Sequence, residues 1–117
     1  MIRQGMVLWV DLVEPIGSAP GFRRPCVIVQ NDAFNRSKCR TIVVCPITSN
    51  LARAAVPGNV KLARGEASLP KPSVVIGSHI LTIDRSQLGS VLGMLSQKCL
   101  REVLQGVFLV LEPVDAE

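Results

Sequence analysis

Short apolar runs of strand length, each bounded by Gly, Pro, Asn or Ser, dominate the N-terminal two-thirds of the chain. Met6 to Val13 reads as the first strand. Cys26-Val27-Ile28-Val29 follows Pro25, and Thr41-Ile42-Val43-Val44-Cys45 follows a polar turn. Both are rich in β-branched residues and too short for independent helices. Asn59 to Leu62 and Ser73 to Ile76 predict further strands, the second opening after Pro70-Lys71-Pro72, and Val91 to Leu95 a last one. Such runs, with turn signals between them, predict a small antiparallel barrel or a tightly curled sheet. The period then changes. After Ser96, an N-cap residue, apolar side chains fall at Cys99, Leu100, Val103, Leu104, Val107, Phe108 and Leu111. That is one helical stripe, stopped by Pro113. The expectation is a mainly β (α+β) protein with a C-terminal helix over about 97–111, its stripe packed on the sheet. Use of the stripe to form a dimer is the alternative.

Two stretches are too long for simple turns: Glu14 to Arg23, between the first two strands, and Ser49 to Gly58. Long loops on a compact scaffold are where binding resides, and both carry arginine. A length of 117 residues fits one domain spanning 1–117. With 48% hydrophobic and 19% charged residues, the composition excludes a disordered tail. No apolar run reaches the roughly 20 residues needed to cross a bilayer, and the N-terminus is a poor signal peptide, so a cytoplasmic protein is expected.

Charge sharpens this picture. The net charge is +4, with Lys and Arg concentrated in the first half: nine against three acids in residues 1–64, and four against six in residues 65–117. A basic half suits a polyanionic partner, since clustered cations displace counterions from phosphates; a merely cationic soluble surface is the alternative. The four cysteines (Cys26, Cys39, Cys45, Cys99) include no C-x-x-C pair and share the chain with a single histidine. Structural zinc is therefore not expected, and reduced, mostly structural thiols are.

Most catalytic templates are absent from the sequence. It has no Gly-rich phosphate loop followed by Lys-Ser/Thr, no G-x-S-x-G and no H-E-x-x-H. The carboxylates of Asp11, Asp32, Glu66 and Asp84 are too dispersed for a magnesium site. An enzyme built from this chain must work with arginine, hydroxyls and His79. Arg23-Arg24-Pro25 is the most suggestive local feature, because a guanidinium fork fits phosphate and stabilises charge developing on a phosphorane. Thr48-Ser49-Asn50 offers hydroxyl and amide groups, or equally a turn whose side chains bond their own backbone.

In order along the chain, these pieces resemble the MazF/PemK (Kid) family of toxin ribonucleases. The resemblance runs through Gly5-Met6-Val7-Leu8-Trp9-Val10-Asp11-Leu12 and Gly17-Ser18-Ala19-Pro20-Gly21-Phe22-Arg23-Arg24-Pro25. It continues in Val27 to Asp32 with Phe34-Asn35-Arg36, in Val43 to Ser49, and in Ser78-His79-Ile80-Leu81-Thr82-Ile83-Asp84. It implies an SH3-like barrel with an appended helix, a homodimer, and metal-free, cofactor-free cleavage of single-stranded RNA by 2′-hydroxyl attack. It also implies neutralisation by a cognate antitoxin. Arg24 and Thr48 match the family's catalytic arginine and threonine. Ser18, Arg23, Ser49, Asn50, Arg53, Ser78 and His79 are the residues expected to contact RNA.

There are departures from the family pattern. Ala19-Pro20 replaces the usual Glu-Gln, Ser78 an acid, His79 a glutamine and Leu81 an arginine. An acid/base scheme that uses a histidine at position 18 and an acid at position 78 therefore does not carry over, leaving His79 as a candidate for proton transfer or for base positioning. A non-catalytic RNA-binding relative and a gyrase-poisoning toxin on the same fold are the other readings.

Overall fold

The computed structural model describes residues 1–12 and 23–114. Val13, Ser18 and the rest of the loop as far as Phe22 lie outside the described residues, as do residues 115–117. The strands are β1 (Met6–Asp11), β2 (Arg23–Ile28), β3 (Thr41–Thr48), β4 (Val60–Leu62), β5 (Ser73–Val75), β6 (Leu81–Asp84) and β7 (Leu88–Met94). The helices are a single turn, α1 (Asp32–Asn35), and the long α2 (Gln97–Leu111). The sheet order is β4-β5-β3-β2-β1-β7, with β6 also on β3, and every pairing is antiparallel.

The mainly β architecture with a C-terminal helix is as expected, but no pairing between β4 and β7 closes the barrel. In place of a hydrogen-bonded seam, the turn at Glu66–Ser68 packs against β7. A Cβ on Gly93 would stand 2.8 Å from the Ala67 backbone.

The apolar runs are continuous because both faces of the sheet are covered. Val7, Val27, Cys45 and Ile47 join one core cluster with Leu62, Val75 and Val103. Their sequence neighbours Leu8, Cys26 and Val44 join a second cluster with Val10, Ile28, Ile42 and Ile83. Alternation along a strand sends successive side chains to opposite faces, so two buried faces leave no polar positions between.

Strand boundaries differ from the sequence reading at several points, among them the start of β2 at Arg23 in place of Cys26, and one strand was not predicted. β3 runs past Cys45 to Thr48. Pro46 gives up its missing donor cheaply there, because its carbonyl accepts Ile76 N at 2.9 Å while the strand passes from pairing with β2 to pairing with β5. Leu81–Asp84 is a strand paired to the first half of β3, which its four-residue length concealed. β7 opens at Leu88, with register shifts against β1 on either side of Leu8.

Ser96 caps α2 as expected, its side chain accepting Cys99 N at 3.2 Å. The stripe, however, is buried only in part. Cys99, Leu100, Leu104 and Val107 pack on the core around buried Val103. Phe108 and Leu111, also expected to pack, are 68% and 63% exposed.

Candidate active site

Antiparallel pairing brings the two residues of chemical interest together. β2 and β3 are registered as Cys26 with Pro46. Two residues further along each strand stand Arg24 and Thr48, the first climbing back towards the N-terminus of β2 and the second ending β3. Both line one cavity of about 290 Å³. Its walls are Trp9, Pro25, Ile47, Leu69, Pro70 and Leu92, and Ser49, Lys71 and Ser73 complete the lining. Among the described residues no acidic side chain lines it. Apolar walls under a cationic, hydroxyl-bearing rim suit a ligand that is anionic at one end and flat and apolar at the other.

The other residues singled out from sequence divide into three groups. Arg23 stands beside the cavity, its guanidinium 4.9 Å from the centre of the Trp9 ring, a cation–π contact that steadies one wall. The Thr48-Ser49-Asn50 segment is both a site edge and a turn: Thr48 Oγ1 accepts Asn50 N at 3.1 Å, and the Asn50 side chain accepts Ala52 N at 3.2 Å. Asn50 thereby caps a 3-10 turn over Leu51–Ala55, inside what the sequence suggested was an open loop.

Arg53, Ser78 and His79 form the third group, and none of them lines the cavity. Asn59 ties two of them together. Its amide donates to the Arg53 carbonyl at 2.9 Å, and its Oδ1 accepts the Ser78 backbone N–H at 3.2 Å and hydroxyl at 3.0 Å. His79 is half-buried, and its Nδ1 has no hydrogen-bond partner. Ser18 lies outside the described residues.

The sequence reading missed Lys71, Trp9 and Leu92 as site residues. Lys71 sits between two prolines and looks like turn punctuation. Its position on the cavity follows from the pairing of β5 with β3, which sequence spacing does not reveal.

The buried thiols offer no nucleophile near neutrality. Burial pushes Cys26 up to about 12, with Cys45 adding to the rise and the Arg24 charge opposing it. Burial alone raises Cys45 to about 12. All four cysteines are free, in keeping with the reading of reduced, structural thiols. Among the described residues no three His, Cys, Asp or Glu side chains are grouped so as to hold a metal ion, and no helix is long and apolar enough to cross a membrane.

Fold and site together define a small antiparallel β protein with a C-terminal helix, whose cationic cleft lies where β2 begins and β3 ends. The chain belongs to the PemK-like, MazF-like toxin family of type II toxin–antitoxin systems, whose model matches residues 3–111. It is 38% identical over 112 residues to the endoribonuclease MazF2 of Mycobacterium bovis, covering 96% of this chain and 98% of that one. With the endoribonuclease MazF of Staphylococcus saprophyticus it shares 37% identity over 103 residues, 88% of this chain and 85% of the other. The fold is similar to that of a mycobacterial endoribonuclease solved with its cognate antitoxin: TM-score 0.78 at 22% identity, over 98% of this chain and all of that one.

Proposed function

We propose that this chain is the toxin of a toxin–antitoxin pair and a sequence-specific endoribonuclease acting on single-stranded RNA in the cytoplasm, folded as one MazF/PemK-like domain. The observation that carries the reading is the meeting of Arg24 and Thr48 on one cavity, within a family of toxins. Relatives similar over nearly the whole chain are named endoribonucleases. A cognate antitoxin as partner follows from the family's membership of two-component systems.

The chemistry proposed is attack by a ribose 2′-hydroxyl on the adjacent phosphorus. The new 2′-O–P bond forms as the P–O5′ bond breaks, leaving a 2′,3′-cyclic phosphate and a 5′-hydroxyl. The Arg24 fork stabilises charge on the phosphorane and hydrogen-bonds the departing 5′-oxygen, which takes its proton from water, while the Thr48 hydroxyl bonds a non-bridging oxygen. The 2′-hydroxyl proton passes to water or to a base supplied by the assembled protein. No metal is needed for any step.

Assembly as a homodimer is part of the same proposal. Phe108, Leu109 and Leu111 stand exposed towards the end of α2, apolar side chains of the kind that a partner surface covers.

The test is direct. Purified protein is incubated with a long unstructured RNA in EDTA, and the 5′-ends of the fragments are sequenced. Cleavage at one short sequence, with 5′-hydroxyl ends, is expected. Fragments bearing 5′-phosphates, or cleavage that stops with EDTA, would overturn the mechanism; intact RNA would overturn the activity.

A further inference from the structure

Trp9, Leu69, Leu92 and Lys71 line the same recess as Arg24 and Thr48. We infer that this recess holds a single nucleobase next to the scissile phosphate, and that Lys71 binds a neighbouring phosphate. The inference rests on the endoribonuclease reading above and adds the residues that select one nucleotide.

Three observations lead there. The first is size: about 290 Å³ lies at the small end of ligand pockets, which run from roughly 300 to 1,000 Å³, so the recess takes one planar ring and not two. The second is chemistry. Most of the walls are apolar, and among the described residues the charged side chains in the lining are Arg24 and Lys71, both cationic. A nucleotide chain has that character, with anionic phosphates joined to flat aromatic rings.

The third is the way one wall is held. Ala67 and Ser68 adopt left-handed backbone, with φ of 50° and 61°, a conformation that costs residues other than glycine about 1–3 kcal/mol each. They persist because Gly93 of β7 lets the Ala67 backbone approach closely. Glu66 anchors the same turn by accepting Ser96 N at 2.7 Å. The chain leaves this turn directly into Leu69, Pro70 and Lys71, the wall of the recess. The Ser73 hydroxyl then donates to the Lys71 carbonyl at 3.0 Å, fixing the backbone that presents the ammonium.

Selection works by shape. Ser73 directs its proton to the Lys71 carbonyl, and most of the described lining is apolar, so few groups there can match a Watson–Crick edge. The recess therefore separates a large ring from a small one, and Leu92 sets the limit.

The experiment compares wild type with Lys71→Ala, Lys71→Arg, Leu92→Ala and Leu92→Trp on one long RNA, across a salt series, with 5′-end sequencing and thermal melting as a check on folding. Lys71→Ala should raise KM about threefold to tenfold and flatten the dependence of log affinity on log salt by about 0.7, one single-strand phosphate contact. Lys71→Arg should restore both. Leu92→Trp should shift base preference by at least about tenfold at one position beside the cut, and Leu92→Ala should relax that same position. Folded Lys71 and Leu92 variants that cut with wild-type KM, salt dependence and sequence preference would overturn the inference while leaving the endoribonuclease intact. So would variants that cut normally and lose only antitoxin binding, since the recess would then belong to a peptide. A folded wild type that cuts no RNA removes the activity and this inference together. Should Leu92→Ala not fold, the Lys71 salt series decides alone.

Discussion

The carbonyl oxygen of Gly58 presses on Gly106 of α2, filling the space in which a Cβ on Gly106 would stand. The same oxygen fills the Cβ position of Gly77, so one peptide group locks together the turn before β4, the turn after β5 and the helix. Gly106 is one of the two buried residues of α2, and Gly58 itself sits at φ +91°.

Gly106→Ala should therefore destabilise the fold by about 2 kcal/mol or more, through overpacking against backbone that cannot rotate away. Gly58→Ala should cost at least as much, since it adds a strained φ and brings a Cβ within 2.7 Å of Val110 Cγ2. Urea unfolding measures both; a change under about 0.5 kcal/mol would show that the helix can slide.

Arg24→Ala should abolish cleavage in a protein that melts like wild type. Its guanidinium serves the cavity rim, and a loss of about a hundredfold or more is the scale for removing one transition-state donor. Arg24→Lys should fail nearly as badly, because an ammonium cannot make the bidentate contact. Thr48→Ala should lower the rate by a smaller factor. Wild-type rates in Arg24→Ala would remove the site assignment.

His79 is placed away from the cavity lining, so it is expected to position RNA and not to move protons. His79→Gln should keep most of the activity and leave the shape of the pH–rate profile unchanged. A loss beyond about a hundredfold, or the disappearance of an inflection near neutrality, would make the imidazole catalytic.

Light scattering at micromolar concentration should give twice the 12.6 kDa chain mass. Phe108→Asp, which charges the exposed end of α2, should move that mass towards the monomer. A wild-type monomer would count against the dimer; a dimer untouched by the substitution would place the contact elsewhere.

Asp84 supplies a pH prediction. Hydrogen bonds from Ser86, and then from Arg40 at 3.1 Å, hold its carboxyl down at about 2. A folded value below the usual carboxylate value of about 3.9 gives stabilisation that is present above that pH and lost as pH falls towards 2. Solvent exposure keeps the contribution small. Asp84→Asn should lower the melting temperature at pH 7, and the gap from wild type should narrow between about pH 4 and pH 2. A constant gap would assign the effect to packing of the capped turn.

What the sequence determined by itself is what depends on near neighbours. The 3.6-residue period after Ser96, the cap and Pro113 delimited α2 at Gln97–Leu111. β-branched runs located most of the strands, and the ordered motifs singled out Arg24 and Thr48. What only the tertiary structure decided depends on residues far apart in the chain. Pairing of β2 with β3 sets Arg24 beside Thr48, and pairing of β5 with β3 carries Lys71 to the same cavity. Long-range packing decides that Val103 joins the core while Phe108 stays exposed, although the sequence placed both on one stripe. Nor could Asn59 be read as the clasp between Arg53 and Ser78, since the sequence made it the first residue of a strand while the structure opens that strand at Val60. Local periodicity fixes which face of an element is apolar; which partner covers that face, and how far, is set by long-range packing.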